Sequence, residues 1–395
     1  MLLLHNTIQP YAWGAIDGVA QVVGSEPSGA AEAELWVGTH PLAPSVVVDD
    51  SAGRTLADVI ASDPVRWLGA DLAAVGHTAL PFLLKVLAVG QPLSLQAHPS
   101  AEQARVGFAR EEAAGTPLTS PLRTYRDRNP KPEALVAVLP TDALCGFRSA
   151  SDAAALVRSC GAPVLGPLER VLDAGGSAAL RDALSWLLHL EGADRHAVSE
   201  VAAETGAGAP DGTPLAWVGR LAFGYPGDPT ALAPLLLEVV HLEPGDALHL
   251  PAGNLHAYLG GAGVEVMAAS DNVLRGGLTP KHIDVDELLA IVRFGPGVPP
   301  RPVRRKPASG LTVYDVGEES FALAVADAAG APVVIEPWRP SLLLATGGPV
   351  DVVGTHAKAR VGHGQAAFVG PGEGPLEVSG PGRLWWATVG DGLPR

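Results

Sequence analysis

Apolar and polar positions change texture along the 395 residues of this chain. Over residues 1 to 50, short apolar runs alternate with turn formers, as in "NTIQPYAWG" and "AELWVGTHPLAPSVVV", and this predicts strands. "RTLADVIASDPVRWLG" carries its apolar residues at helical spacing. "LPFLLKVLAVGQPLSLQAHPS" reads as two buried strands broken at Gly90-Gln91-Pro92. "SAEQARVGFAREEAAG" reads as a helix with Ser100 as its N-cap. Strands resume near "KPEALVAVLP".

From Ser149 to Gly206 the period lengthens. "SDAAALVRSCG", "LGPLERVLDAGG", "SAALRDALSWLLHLEG" and "DRHAVSEVAAETG" predict a helical insertion between two β-rich blocks. β texture returns at "PLLLEVVHLEPGDALHLPAGNLHAYLGGAGVEVMAAS", and "DVDELLAIVRF" predicts one more helix. "GPGVPPRPVRRKPASG" reads as a Pro- and Arg-rich linker with a solvated arginine face. Beyond it, short β-type runs between Gly-rich turns predict a closed barrel or sandwich. The expected division is a discontinuous β body over 1–148 and 207–298, a helical insertion over 149–206, and a C-terminal β domain over 299–395.

Charge narrows the functions open to such a chain. A formal net charge of −15 argues against sequence-independent binding to nucleic acid or anionic membranes, but leaves room for a small anion on a local positive patch. Only five lysines stand against 22 arginines, so a lysine in an unusual segment suggests a need for a compact ammonium. Two cysteines, Cys145 and Cys160, without ligand-like spacing point to a reducing compartment. The first residues have no basic region before their short leucine run, and no apolar stretch is long enough to span a bilayer. A cytoplasmic location is the expectation.

Four segments carry candidate chemistry. In "QPLSLQAHPS", strand alternation places Ser94, Gln96 and His98 on one face, about 7 Å apart in succession, where an amide and an imidazole can converge on one ion. The bland alternative is two polar residues at a strand exit. In "NPKPEALV", Glu133 opens an apolar strand after two prolines framing Lys131. It is either exposed at the strand's start or buried and paired. In "EPGDALHLPAGNLHAYLGGAGVEV", turns on both sides fix His256 in a strand with Asn254 and Tyr258 on its face. This segment resembles a motif of cupin jelly rolls in which such a histidine binds metal, though a satisfied structural histidine is the alternative. "ASDNVLRGGLTPKHIDV" gathers Asp271, Arg275, Lys281 and His282 around a Gly-Gly turn, as a solvated loop or as a phosphate-recognition loop.

Together these segments, with "NTIQPYAWG", "AELWVGTHP", "PFLLKVLAVG" and "ALCGFR", resemble the type I phosphomannose isomerases over the whole chain. The resemblance implies a mainly β fold with an α insertion: a cupin-type jelly-roll catalytic domain, a helical inserted domain and a C-terminal jelly-roll-like domain. It implies one Zn2+ per chain, held by Gln96, His98, Glu133 and His256. Oxygen and nitrogen donors without thiolate suit zinc but would also accept cobalt, manganese or iron, so the metal's identity comes from the resemblance. The implied reaction interconverts D-mannose 6-phosphate and D-fructose 6-phosphate through a cis-enediol, with the metal ordering the sugar and offsetting enediolate charge.

Within that reaction, Asp271 is the first candidate for the base, Lys131 for helping ring opening or oxygen polarisation, and Arg275 for holding phosphate or enediolate. Ser94 and Lys281 are further candidates for phosphate contacts. Lys85, Tyr258, Glu265 and Trp13 resemble pocket residues, each with ordinary packing or ion pairing as the alternative. The partner expected is a small sugar phosphate, with no nucleic acid or membrane, and a single chain as the working unit. One departure stands out: family members commonly read N-H-K-P-E where this chain has Pro130. A mechanism needing a histidine there cannot run unchanged, which keeps a non-catalytic sugar-phosphate-binding cupin as the second reading. An iron-dependent cupin oxygenase is a third, and Arg275 and Lys281 argue against it.

Overall fold

Phe82–Val89 is buried along all eight residues, and its alternation decides what each side meets. Phe82, Leu84, Val86 and Ala88 enter one apolar core, while Leu83, Lys85, Leu87 and Val89 face the other way. In the computed structural model, which describes residues 1–298 and 301–394, this strand lies inside a ten-stranded antiparallel sheet. Its neighbours are Glu34–Val37 on one side and the 13-residue strand His256–Ala268 on the other.

That long strand serves two groups of partners. Its first part pairs with Thr141–Phe147 and with Gln96. From Gly261 onward it pairs with Phe82–Val89, and from Gly263 also with Glu133–Ala137. At the changeover Gly261 has φ of +107°, and a Cβ there would strike Pro140 O at 2.3 Å, so only glycine fits. The chain is mainly β, with helices concentrated between residues 150 and 236.

The capping chemistry around Ser100 forms as expected: Ser100 and Gln103 bond reciprocally at the start of Ala101–Ala113. Several expectations need correction. Among the first 50 residues, Gly18–Val23 is a helix rather than a strand, because Val19, Val22 and Val23 bury together while the Glu32 carboxylate accepts from Ala20 N–H at 2.7 Å. The second strand of the 82–98 segment shrinks to Gln96–Ala97. Leu93 and Leu95 spend their N–H groups on Tyr258 O and Gly277 O outside any regular ladder.

Helix also continues beyond Gly206. Pro214–Gly224 starts with Thr213 as N-cap and Pro214 in the first turn, and Ala233–Leu236 follows, so strand resumes only at Leu237. The expected linker contains a strand, Val303–Ala308, paired with Leu311–Asp315, and Arg301, Arg304 and Arg305 pair with Asp246 and Asp315 rather than merely facing solvent. Pro299 and Pro300 of that linker lie outside the described residues.

The C-terminal region stacks an eight-stranded sheet on a four-stranded one, around Leu343, Val352, Val378 and Trp386. The larger sheet also takes in the chain's first strand: Leu2, Leu3 and Leu4 pair with Phe368, Ala367 and Ala366. The other face of that sheet shares a core with the first body, where Leu84 and Val264 join Leu342 and Phe368.

Candidate metal centre and substrate pocket

His98, Glu133 and His256 come from three segments and meet in the interior of the first β body, all buried. Strand pairing does the assembly. His256 is opposite Gln96, whose other neighbour is Arg275, and Glu133 is opposite Met267 on the same long strand. Pro130 and Pro132 stiffen the approach to Glu133, since a residue before proline is driven to extended backbone.

The histidine tautomers follow from their partners. His98 Nδ1 lies 2.8 Å from Asn272 O, and His256 Nδ1 lies 3.0 Å from Asn254 O. A carbonyl only accepts, so each Nδ1 carries the proton and each Nε2 presents a lone pair. Both Nε2 atoms are buried without a hydrogen-bond partner among the described residues, 3.4 and 3.5 Å from the two oxygens of Glu133. Lone pairs facing a carboxylate across a dry gap repel, and a cation between them turns the arrangement into a ligand set. The site therefore fits a metal on its own geometry. Burial, then the charge of Lys131, pushes the His98 imidazole down to about 4, so it stays neutral and able to ligate at neutral pH. Burial alone would raise the Glu133 carboxyl, but the Lys131 ammonium counters it and holds the group well below its usual range. Lys131 Nζ sits 2.5 Å from Glu133 Oε1.

Beyond the ligands, the inner strand faces carry a charged lining. Lys85 pairs with Glu34 at 3.4 Å and lies 4.8 Å from the centre of the Trp36 ring. Burial would lower its ammonium, yet the carboxylates of Glu34, Glu265 and Glu133 hold it above the usual lysine value. Glu265, opposite Lys85 in register, accepts a hydrogen bond from Tyr258 OH at 3.2 Å. Burial and the charge of Glu133 push its carboxyl up to about 8. Trp13 stacks on Tyr11 at 5.9 Å and packs, half-buried, beside Leu93 against the cluster containing Tyr258.

Asp271 lies at one edge, where its Oδ1 takes a hydrogen bond from His40 Nε2 at 3.1 Å. At another edge the Ser94 segment runs beside the short strand Leu274–Arg275 and the glycines after it, through Gly276 N–H to Leu95 O and Leu95 N–H to Gly277 O. Arg275 and Lys281 have no carboxylate within salt-bridge distance among the described residues. Burial and the nearby Arg126 depress Arg275, and burial, Arg275 and Arg126 depress Lys281. Cations that crowd one another at the pocket's edge, with Arg275 half-buried and Lys281 and Arg126 exposed, are suited to an anion.

Sequence reasoning did not single out Glu34, Trp36, His40, Arg126 or Asn272. A signal existed for the first two: in "ELWV" a glutamate and a tryptophan alternate with residues of the apolar core. Nothing in the local pattern around His40 pointed to Asp271, 231 residues away.

The family described as phosphomannose isomerase type I, catalytic domain, matches residues 1–150. Mannose-6-phosphate isomerase of Escherichia coli (strain K12) is 36% identical over 400 residues, covering 97% of this chain and 98% of that protein. Its Homo sapiens namesake is 30% identical over 409 residues, covering 94% and 93%. A crystal structure of the Salmonella typhimurium mannose 6-phosphate isomerase bound to its substrate, fructose 6-phosphate, and zinc superposes with a TM-score of 0.90 at 33% identity, over 98% of this chain and 99% of that one.

Proposed function

The chain belongs to the type I phosphomannose isomerase family, and from that premise we propose that it interconverts D-mannose 6-phosphate and D-fructose 6-phosphate through a cis-enediol. The observation that carries this reading is the pair of unpartnered, buried Nε2 atoms facing Glu133 beside a charged pocket. Gln96, His98, Glu133 and His256 hold one zinc. Bound zinc supplies an electropositive centre that orders sugar oxygens and offsets negative charge developing on the enediolate.

The chain's own groups do the rest. Asp271 removes the proton from C2 and returns it at C1, which requires one carboxylate within reach of both carbons, while the hydroxyl proton passes from O2 to O1. Lys131 donates toward the sugar oxygens during ring opening, and takes over what a histidine at position 130 would do in relatives. Arg275, Lys281 and Ser94 bind the phosphate, and Lys85, Glu265, Tyr258 and Trp13 form the pocket wall. The strands around the site are read as a cupin-type jelly roll. The catalytic unit then comprises residues 1–148 and the later β segment, expected over 207–298 but beginning at Leu237, because the insertion expected over 149–206 extends through the helices ending at Leu236. The C-terminal domain, expected from 299 and described from 301, is a second jelly-roll-like unit that packs against the first, and the enzyme works in the cytoplasm as a single chain.

Metal analysis coupled to a mannose 6-phosphate isomerase assay, before and after chelation, tests the reading. Loss of turnover with the metal and its return on adding Zn2+ are expected. A fully active metal-free protein overturns it. Turnover abolished by Gln96→Ala removes the non-catalytic alternative.

A further inference from the structure

We propose that His40 is a positioning residue for Asp271, fixing one oxygen of its carboxylate at the edge of the pocket. This rests on the reading of Asp271 as the base. His40 follows the strand Glu34–Val37 and is held from several sides. Its side chain is 7% exposed, and its ring meets the Trp36 ring edge-on, with centroids 4.6 Å apart. Its carbonyl accepts from Ala43 N–H at 3.1 Å, closing a turn through Pro41. Leu42 N–H donates to Nδ1 at 3.2 Å. That nitrogen therefore carries a lone pair, the proton sits on Nε2, and the contact to Asp271 Oδ1 is a donated hydrogen bond.

Asp271 is tied down from behind as well. Its N–H donates to Asp127 Oδ2 at 2.8 Å, and Ser270 Oγ donates to the same carboxylate. Its own Oδ2 has no hydrogen-bond partner among the described residues. The charged and titratable groups facing it are His40, Lys131, Lys85 and Tyr11, with Asp127 at its backbone. The His40 hydrogen bond outweighs partial burial and holds the carboxyl below its usual range. A base that must serve two adjacent carbons gains more from a fixed position than from extra basicity, since a small displacement costs far more rate than a modest pKa change.

The sign of the pH effect follows. A carboxylate depressed by a donor is ionised to lower pH, so removing the donor moves its titration, and the acid limb of kcat/KM, upward. The experiment compares zinc-loaded wild type, His40→Leu and His40→Gln, since Gln retains an N–H donor. The Asp271 side-chain 13C signal is assigned by its loss in Asp271→Asn. Expected is an upward titration shift of about one pH unit in His40→Leu, largely restored in His40→Gln. kcat should fall about 10- to 100-fold in the leucine variant with KM within about twofold. An Asp271 titration unchanged by His40→Leu overturns the proposal, as does equal loss in both variants. So does 15N NMR of the wild type showing the His40 proton on Nδ1, a readout that needs no variant to fold. Wild type that makes no fructose 6-phosphate sinks the proposed function instead, and the NMR results still decide the His40–Asp271 pair.

Discussion

Two β bodies of this molecule follow the same period-two rule and fill their interiors with opposite chemistry. The inner strand faces of the first carry Glu34, Lys85, Glu133, His256 and Glu265 among Leu87, Leu135 and Tyr258. Between the sheets of the second lie Leu343, Ala345, Val352, Val378 and Trp386. Burying a charge is costly unless a neighbour answers it, so Lys85 comes with Glu34 and Lys131 with Glu133, while the Glu265 carboxyl is pushed up toward its neutral form. The second interior needs no such pairing and supplies hydrophobic stability. The two are welded through the core that joins Leu84 and Val264 to Leu342 and Phe368. The C-terminal body thus backs the sheet whose other face is polar.

Four changes break or sharpen that contrast. The largest effect is expected from Glu133→Ala, which removes a ligand and strands Lys131 and two imidazoles. Isomerase activity should fall by about 10³-fold or more with loss of bound zinc, measured by the coupled assay and metal analysis. Next is Trp386→Ala, a cavity in the apolar sandwich. It should cost about 3–5 kcal/mol in denaturant unfolding while the folded fraction keeps its metal, which separates support from chemistry. Arg275→Ala should lower kcat/KM about 10- to 100-fold and weaken competition by inorganic phosphate, with zinc content unchanged. The smallest effect belongs to His249→Ala, which cuts the 2.8 Å contact between His249 and Glu318 that links the bodies. A change within about 1 kcal/mol is expected, and a loss of several would mean that polar ties rather than the shared core join them.

Much of the site was legible before folding because its donors have unusual settings: Q-x-H, a glutamate opening an apolar strand, a histidine between two turns. Family resemblance joined them into one set, and His98, Glu133 and His256 lie together in the structure. Gln96 lies in register with His256. The helix Pro214–Gly224 is equally visible in "TPLAWVGRLAFG", through its Thr-Pro start and helical spacing, although the loop-like "TGAGAPDGT" before it suggests that the insertion has ended. The boundary of the C-terminal body was not legible. The alternation of Leu2–His5 predicts a strand without saying which sheet it joins, and it pairs with Ala366–Val369.

Taken by itself, the chain determined which residues share a strand face, where turns interrupt them and which donors are available, because side-chain direction is set by local backbone geometry. The tertiary structure decided what those faces meet. It turned the Nε2 lone pairs of His98 and His256 toward Glu133 by tying each Nδ1 to a carbonyl, and it set His40 against Asp271. Contacts of that kind join residues far apart in sequence through strand register and shared cores, and no local pattern encodes the partner.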